Sequence, residues 1–313
     1  MTWMDLLRRA EEKLKDIGFR LGKGPLSHEA RYFLEAAYGA AVGEGRSISA
    51  VANRSMLSDK EAASVLQVLD QLLERRGQGE PLQHILGRWG FYQNEYEVSP
   101  AVLIPRPETE VLVHEVIQIL PSQKPLQGAE IGLGSGVISI ELLDARPELL
   151  MTATEVSADA VRVAQRNASA ILKSGVDQGT KRLSIHLVDA SQSPCSELER
   201  ALGSLSIDFL VSNPPYLDGT QGSMEVEDDV RRSEPHTALF APVHDLNYFY
   251  RDIATRAYRL LKPDGFVAVE IPHERAEPIE SLFRTAGYQT RVESDLTGRP
   301  RVLIAKLNKK GNS

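Results

Sequence analysis

The stretch VSNPPYLDG, residues 211–219, puts an amide side chain, two prolines and a tyrosine directly after an apolar run. The run IDFLV just before it predicts a short buried strand, and proline ends that strand because it lacks an N–H and has a fixed φ. The residue before a proline is restricted to extended geometry, so Asn213 has a narrow conformational range. Two interpretations stay open: a simple strand terminator, or a rigid set of hydrogen-bond acceptors for a substrate, formed by Asn213 and Pro214 with Tyr216 beside them.

A glycine loop is the second candidate. The stretch EIGLGSG, residues 130–136, follows a predicted strand, and its three glycines permit a tight turn and the close approach of a ligand. It lacks the last glycine of the dinucleotide fingerprint G-x-G-x-x-G, because Val137 stands there. Ser135 has neither of the two glycines that flank a nucleophile elbow. A ligand-binding loop and a plain tight turn both fit this pattern.

Two acidic residues end further predicted strands. The second strand ends at Glu155, where a carboxylate holds ribose hydroxyls in nucleotide-binding sheets, and the third ends at Asp189. Glu155 is equally typical of an acid at a helix N-terminus, and Asp189 of a turn or N-cap. Together with residues 130–136 and 213–216, however, these acids would lie on one edge of a single sheet. Such an edge can hold an adenosine-bearing cofactor with a second ligand beside it.

The elements that must position these residues begin near residue 126, from where strands and helices alternate. This alternation predicts an α/β fold with a mostly parallel seven-stranded sheet and helices on both faces. Ligands of such folds bind outside the carboxyl ends of the strands, at the switch point in strand order. The predicted strands lie near residues 127–131, 150–155, 183–188, 206–212, 265–271, 288–293 and 300–306. The predicted helices lie at 136–146, 157–172, 245–261 and 274–286.

The N-terminal part of the chain is predicted to form a small helical bundle. It carries apolar stripes at helical spacing, and Ser58 with Glu61 makes a capping box for its third helix. We therefore expect three domains: a helical bundle at 1–81, a β-hairpin linker at 82–105 and the α/β domain at 106–313.

The linker is predicted from the alternation of aromatic and polar side chains around Gln93 and Asn94. Pro105 and Pro107 then fix a loop, and Thr109 is expected to cap the helix that follows.

The composition argues against several classes of protein. The formal net charge is −7 and the pI about 5.6, unlike a protein that grips a nucleic-acid backbone over a wide surface. Cys195 is the only cysteine, so no intrachain disulfide forms, and the histidines show no metal-ligand spacing. No run reaches the roughly 18 apolar residues of a membrane span. The first residues include acids that are atypical of a targeting peptide, so a cytoplasmic protein is expected.

Several stretches resemble one family of Rossmann-type class I methyltransferases that use S-adenosylmethionine. NPPY after the fourth strand and EIGLGSG after the first are similar to the sites of enzymes that methylate a planar amide or amino nitrogen. The stretches PLQHILGRWGFY, VSPAVLIPRPETEVLV, TEVSADAVRVAQRNA, VSNPPYL and LLKPDGFVAVEI further resemble the release factor glutamine methyltransferases, the HemK family. The resemblance covers most of residues 68–306, and its most specific parts are IPRPETE and NPPY.

The resemblance implies a function. The family methylates the side-chain amide nitrogen (N5) of the glutamine in the Gly-Gly-Gln motif of class 1 peptide chain release factors. It uses S-adenosylmethionine and no metal. The helical bundle would help to dock the release factor, and neither nucleic acid nor membrane would be bound directly. By the family's motifs, the cofactor would be held by Glu130, Gly132, Leu133, Gly134, Ser135, Gly136, Glu155, Asp189, Ala190 and Asn213. The target amide would be held by Asn213, Pro214, Pro215 and Tyr216, of which Asn213, Pro214 and Tyr216 would be catalytic.

The chain departs from the family pattern at three positions. Glu130 and Glu155 stand where the family often has aspartate, a change that preserves the charge. Ala190 stands where an aromatic residue can cover the adenine, so its contact with the cofactor is the least specific of these assignments.

Three alternatives remain. An adenine-N6 methyltransferase of DNA or RNA would use the same tight bend at NPPY, residues 213–216, which we call the NPPY elbow. Such an enzyme should carry a basic target-recognition region that this acidic chain lacks. A glutamine methyltransferase of a ribosomal protein would be expected to have a serine-containing loop in place of IPRPETE. A non-catalytic binding module that kept the fold is the third, and the intact glycine loop and elbow argue against it.

Overall fold

A computed structural model of the chain describes residues 1–43, 57–122, 124–172, 182–189, 206–220 and 228–307. The chain divides into two units, Met1–Gly87 and Arg88–Ser313, and each is described by itself. Within the described ranges, no helix combines the length and the apolar character that crossing a membrane requires.

Three long helices are found among the described residues of the first unit. Helix α1 spans Trp3–Arg20, α2 spans Ala30–Val42 and α3 spans Asp59–Gly77, and a short helix α4 follows at Leu82–Leu86. Helix α4 therefore occupies the start of the range predicted as a hairpin linker. The apolar stripes face inward as predicted, and the side chains that they bury include Leu6, Ala10, Leu14, Ile17, Phe33, Leu34, Ala37, Val65, Leu69 and Leu73.

Polar contacts fix the start and the end of α3. Ser58 Oγ accepts from Glu61 N at 3.3 Å and Glu61 Oε2 accepts from Ser58 N at 3.0 Å, which confirms the predicted capping box. Near the other end, buried Arg76 donates from Nε to Glu29 Oε2 at 2.8 Å. Because both partners of this ion pair are buried, removal of either would leave an uncompensated charge in the core of the bundle.

A β-hairpin begins the second unit. Strand β1 (Arg88–Phe91) pairs antiparallel with β2 (Asn94–Glu97). The turn is Tyr92–Gln93, one residue earlier than predicted, because Asn94 already pairs with Phe91. Tyr92 takes the left-handed conformation that the turn requires, with φ 51°, and its N–H donates to Glu110 Oε1 at 3.0 Å.

Seven strands form the central sheet, which confirms the predicted α/β class. Their order is β10-β11-β9-β6-β3-β4-β5, and among the described strands of this sheet β11 alone runs opposite to the other six. The remaining strands, β7 and β8, form a separate parallel pair. The bounds are β3 Leu126–Ile131, β4 Leu149–Glu155, β5 Leu183–Leu187, β6 Ile207–Ser212, β7 Leu217–Asp218, β8 Phe240–Ala241, β9 Leu261–Glu270, β10 Tyr288–Ser294 and β11 Pro300–Leu307.

Helices cover both faces of the sheet, so both faces are apolar. On β6, Phe209 and Val211 pack in one cluster with Leu112 of the first helix of this unit, and Leu210 packs in the other cluster with Ile253. The alternation follows from the two-residue side-chain period of a strand. The helices are α5 Pro107–Ile119, α6 Val137–Ala145, α7 Ala158–Ile171, α8 Asp228–Ser233, α9 His236–Leu239, α10 Tyr248–Leu260 and α11 Ala276–Thr285.

The switch point in strand order lies between β3 and β6. The chain runs from β3 outward through β4 to β5 and then returns to the other side of β3 as β6. Glu130 of β3 is paired with Val211 of β6, and Ser212 Oγ donates to the carbonyl of Ile131 at 2.7 Å. The loops that follow the two strands therefore leave the sheet side by side, as ligand binding at a switch point requires.

Two local predictions need correction. Thr109 does not cap α5, because the N-cap position is Arg106 and Pro107 occupies the first helical position. Proline suits that position since its missing N–H would have no helical partner there. In addition, the sequence predicts no element in the segment that contains α8, α9 and β8, since these elements are too short to show a period.

Candidate functional site

A cavity of about 500 Å³ lies at the carboxyl edge of the sheet, around the switch point. Most of the predicted site residues line it: Glu130, Gly132, Leu133, Gly134, Ser135, Glu155, Asp189, Asn213, Pro214 and Pro215. Gly136 and Tyr216 are not part of the lining, and Ala190 lies outside the described residues. The structure therefore brings together residues from four strand ends that are far apart in the chain.

The glycine loop takes a backbone conformation that side chains disfavour. Its three glycines have φ of 81°, 56° and 88° at positions 132, 134 and 136. A Cβ at Gly132 or Gly134 would meet no other atom within 4 Å, whereas one at Gly136 would lie 2.8 Å from Ile140 Cδ1. The first two glycines thus leave the cavity wall open to a ligand, and the third permits close packing of α6.

The carboxylate of Glu155 ties the glycine loop to the start of α7. Its Oε2 accepts from Gly134 N at 2.8 Å, and its Oε1 accepts from Val156 N and Ser157 N at 2.9 Å each. Glu155 therefore acts as an acid at a helix N-terminus, which is the alternative interpretation of this residue from the sequence. The same side chain also lines the cavity. Since a carboxylate accepts about four hydrogen bonds, these three leave capacity for a ligand hydroxyl.

Glu130 is completely buried, and only one of its two carboxylate oxygens has a hydrogen-bond partner among the described residues. Its Oε2 accepts from Ser139 N at 3.1 Å and from Ser139 Oγ. Among the described residues, none donates to its Oε1. Burial raises the pKa of Glu130 to about 8, against the hydrogen bonds from Ser139, which lower it. A buried carboxylate oxygen without a partner on the wall of a cavity suits a cationic ligand group.

Asn213 is anchored through its amide nitrogen. Nδ2 donates to Thr109 Oγ1 at 3.1 Å, and Thr109 Oγ1 donates to Glu270 Oε2 at 2.6 Å. Within the described ranges, no group donates to Asn213 Oδ1, so the carbonyl end of the amide is the end left to accept from a ligand. The role of Thr109 and the presence of Glu270 were both missed in the sequence, which offers no local signal for a partner on a distant strand.

Tyr216 lies beside the cavity wall. It packs against the apolar cluster that contains Tyr250, and its backbone carbonyl accepts from Arg275 Nη2 at 2.5 Å. Burial is the main reason that the pKa of the Tyr216 hydroxyl is raised, and the charge of Glu270 adds to the effect. The ring is therefore a neutral, firmly held surface next to residues 213–215.

The stretch IPRPETE is held by a glutamate from outside the predicted site. Glu234 Oε2 accepts from Ile104 N at 2.9 Å, and its Oε1 accepts from Arg106 Nη2 at 2.5 Å. Glu234 is buried, and Pro105 and Arg106 line the cavity. The two prolines of the stretch and this carboxylate together fix one wall of the site. Among the described residues, no three His, Cys, Asp or Glu side chains are grouped as a metal site would require.

Residues 109–234 match the model of the methyltransferase small domain. A release factor glutamine methyltransferase of Caulobacter vibrioides is 34% identical over 312 residues, 98% of this chain and 97% of that protein. The release factor glutamine methyltransferase of Escherichia coli is 34% identical over 246 residues, 79% of this chain and 80% of that protein. A solved protein-(glutamine-N5) methyltransferase (release factor-specific) from Alicyclobacillus acidocaldarius aligns with a TM-score of 0.37 and 26% identity, over 68% of this chain and 99% of that one.

Proposed function

Because this chain belongs to the release factor glutamine methyltransferase family, we propose that it methylates a glutamine side chain of class 1 peptide chain release factors. The methyl group passes from S-adenosylmethionine to the amide nitrogen (N5) of the glutamine in the Gly-Gly-Gln motif. The single observation that carries this proposal is the Asn213 amide at the cavity wall, anchored through Nδ2 so that Oδ1 is left as an acceptor.

The residues present fit S-adenosylmethionine. The cavity offers a carboxylate oxygen of Glu130 without a partner, suited to a cationic group, and an open wall at Gly132 and Gly134. When bound, the cofactor supplies a methyl group on a positively charged sulfur. We assign its methionine end to Glu130 and the loop 132–136, its ribose to Glu155, and its adenine to Asp189 and Ala190.

The target amide is assigned to the elbow at 213–216. A primary amide nitrogen is a poor nucleophile because its lone pair is delocalised into the carbonyl. Acceptance of its two N–H groups by Asn213 Oδ1 and the Pro214 carbonyl would turn the lone pair toward the methyl group, and the prolines hold both acceptors in place. Tyr216 would flank the flat amide. No strong base is needed before transfer, since the amide proton becomes acidic only as the new bond forms.

The partner surface is assigned to the first unit. We propose that the helical bundle at 1–81 docks the release factor, that 82–105 is a linker and that 106–313 is the methyltransferase domain. Met4 and Phe19 of α1 are 61% exposed each, so the bundle presents apolar side chains to solvent. Neither a metal nor direct contact with nucleic acid is part of this proposal.

Mass spectrometry of a release factor tests the proposal. After incubation of this protein with isotopically labelled S-adenosylmethionine and a class 1 release factor, we expect one labelled methyl group on the Gly-Gly-Gln peptide. A release factor with glutamate in place of that glutamine should stay unlabelled. Label in duplex DNA or in a ribosomal protein, with none in the release factor, would replace the proposed substrate by one of the alternatives.

A further inference from the structure

We infer that Thr109 and Glu270 are positioning residues that fix which end of the Asn213 amide is presented to the target glutamine. The inference rests on the proposed function, because it concerns how Asn213 serves as an acceptor. It assigns a role to two residues on α5 and β9 that lie outside the NPPY elbow.

The sheet register places Glu270 next to the elbow. Strands β6 and β9 are parallel neighbours, and Ser212 is paired with Val269, so the next residues of the two strands are Asn213 and Glu270. Thr109 reaches this point from the first turn of α5. The Thr109 hydroxyl oxygen lies 3.1 Å from Asn213 Nδ2 and 2.6 Å from Glu270 Oε2. The three side chains form one continuous chain of hydrogen bonds.

The direction of that chain follows from the donor capacity of each group. An ionised carboxylate only accepts, and a threonine hydroxyl has a single hydrogen to donate. Since Glu270 takes that hydrogen, Thr109 Oγ1 is left with lone pairs toward Asn213. The amide must then face Thr109 with its NH₂ group and keep Oδ1 for the target. In the reversed amide, Oδ1 would lie against Thr109 Oγ1 without a hydrogen between them.

The surroundings make the reversed orientation costly. Thr109 and Glu270 are 3% and 2% exposed, so little water reaches Thr109 Oγ1 to supply the missing hydrogen. Tyr250 also holds the strand end, since its hydroxyl donates to the backbone carbonyl of Glu270 at 3.0 Å. Besides burial, the charge of Glu108 raises the pKa of Glu270, and the charges of Arg301 and Arg106 lower it.

Two variants of Thr109 of nearly equal size separate the hydroxyl from the packing. Thr109→Val removes the hydroxyl, and we expect roughly 10- to 100-fold slower single-turnover methylation, typical of a displaced reacting group. Cofactor affinity should change less than twofold. Thr109→Ser keeps the hydroxyl and should stay within about threefold of the wild type. Assays at pH 8 keep Glu270 mostly ionised, since burial raises its pKa to about 7. Equal rates for folded Thr109→Val and wild type would overturn the inference.

A double-mutant cycle tests whether Thr109 acts through Asn213. In an Asn213→Ala background there is no amide left to orient, so Thr109→Val should have almost no further effect on the rate. Glu270→Gln should slow methylation in the wild-type background and have almost no further effect in the Asn213→Ala background. A loss as large as in the wild-type background would show that these residues act on the rate by another route, and it would overturn the inference.

A measurement without substrate separates this inference from the proposed function. In protein labelled with ¹⁵N-asparagine, the side-chain NH₂ of Asn213, assigned by its absence in Asn213→Asp, should exchange slowly with solvent. The protection should be lost in Thr109→Val and kept in Thr109→Ser. If the wild-type protein methylated no release factor, the proposed function would fail while this result still supported or overturned the orientation. Fast exchange of the Asn213 side-chain NH₂ in the wild type would overturn the inferred orientation.

Discussion

Single residues determine the chemistry of this site through the hydrogen bonds that their side chains already make. Asn213 uses its nitrogen on Thr109 and keeps its oxygen, and Glu130 uses one oxygen on Ser139 and keeps the other. In each case the unused atom belongs to a residue of the cavity wall. These free acceptors are where a positively polarised ligand group would bind, and two predictions follow at this scale.

Asn213→Ala should lower turnover by roughly 10²–10³-fold, the usual effect of losing one preorganised polar contact at a reacting group. Cofactor affinity should change much less. Asn213→Asp should lie between Ala and wild type, because it keeps an acceptor but loses the N–H that Thr109 accepts. Single-turnover methylation and thermal melts on the three proteins measure both effects. Near-wild-type turnover in folded Asn213→Ala would mean that residue 213 only terminates the strand.

Glu130→Gln should flatten the dependence of stability on pH. The pKa of Glu130 is raised by burial from 4.5 to about 8, so the folded state holds the proton more tightly than the unfolded state. Its contribution is therefore complete below about pH 4.5 and is lost as the pH rises to about 8, with a limiting slope of about 1.4 kcal/mol per pH unit. Urea unfolding between pH 5 and 9 measures the slope. Exposed Glu12→Gln is the matched control, and equal slopes for both variants would contradict the prediction.

At the scale of elements, the site is made by four parallel strands, β3, β4, β5 and β6, that end at the same edge. Backbone contacts lock their ends together: Gly132 N donates to the carbonyl of Thr154 at 3.0 Å, and Val188 N donates to that of Glu155 at 2.8 Å. The Glu155 carboxylate then joins the glycine loop to the start of α7. A ligand in the cavity thus meets a wall whose parts cannot move independently.

Glu155→Ala should weaken S-adenosylmethionine binding by roughly 1–3 kcal/mol, the usual cost of losing a charge-assisted hydrogen bond. Calorimetric titration measures the change. The variant also removes support from the start of α7, so Ser157→Ala, which removes the hydrogen bond from Ala160 N to Ser157 Oγ, serves as the control for that effect. Equal affinities of Glu155→Ala and Ser157→Ala for the cofactor would remove the ribose assignment.

At the scale of the whole molecule, the chain separates a helical unit from the unit that contains the cavity. All residues that line the cavity belong to Arg88–Ser313. The helical unit carries exposed apolar side chains such as Phe19 and Tyr32. These features fit the proposal that one unit recognises a whole protein while the other acts on one glutamine.

Deletion of residues 1–87 should lower kcat/KM for an intact release factor more than for a short glutamine peptide, because only the intact protein can use a docking surface. The boundary follows the division between the two units. Methylation of both substrates by full-length and truncated protein gives the two ratios, and circular dichroism shows whether the truncated protein is folded. Equal losses on both substrates would count against docking by the first unit.

Much of the fold follows from local patterns in the sequence. Helical stripes, the capping box at Ser58 and the alternation of strands with helices depend on residues that are near one another in the chain, so their physical causes are local. The turn of the hairpin and the start of α5 were each misplaced, since several polar residues there are comparable candidates. Pro107 at the first helical position sets the start of α5. The pairing of Asn94 with Phe91 sets the turn of the hairpin.

The sequence by itself determined which residue types stand at the strand ends: glycines after β3, an acid as the last residue of β4, and an amide with two prolines after β6. Only the tertiary structure decided what those groups contact. Thr109 and Asn213 are 104 residues apart, and Thr109 and Glu270 are 161 apart. Their contact depends on strand order and register, which are set by packing of the whole sheet rather than by any local pattern. For the same physical reason, only the folded chain shows that Glu234 holds the IPRPETE loop and that one oxygen of Glu130 is left without a partner among the described residues.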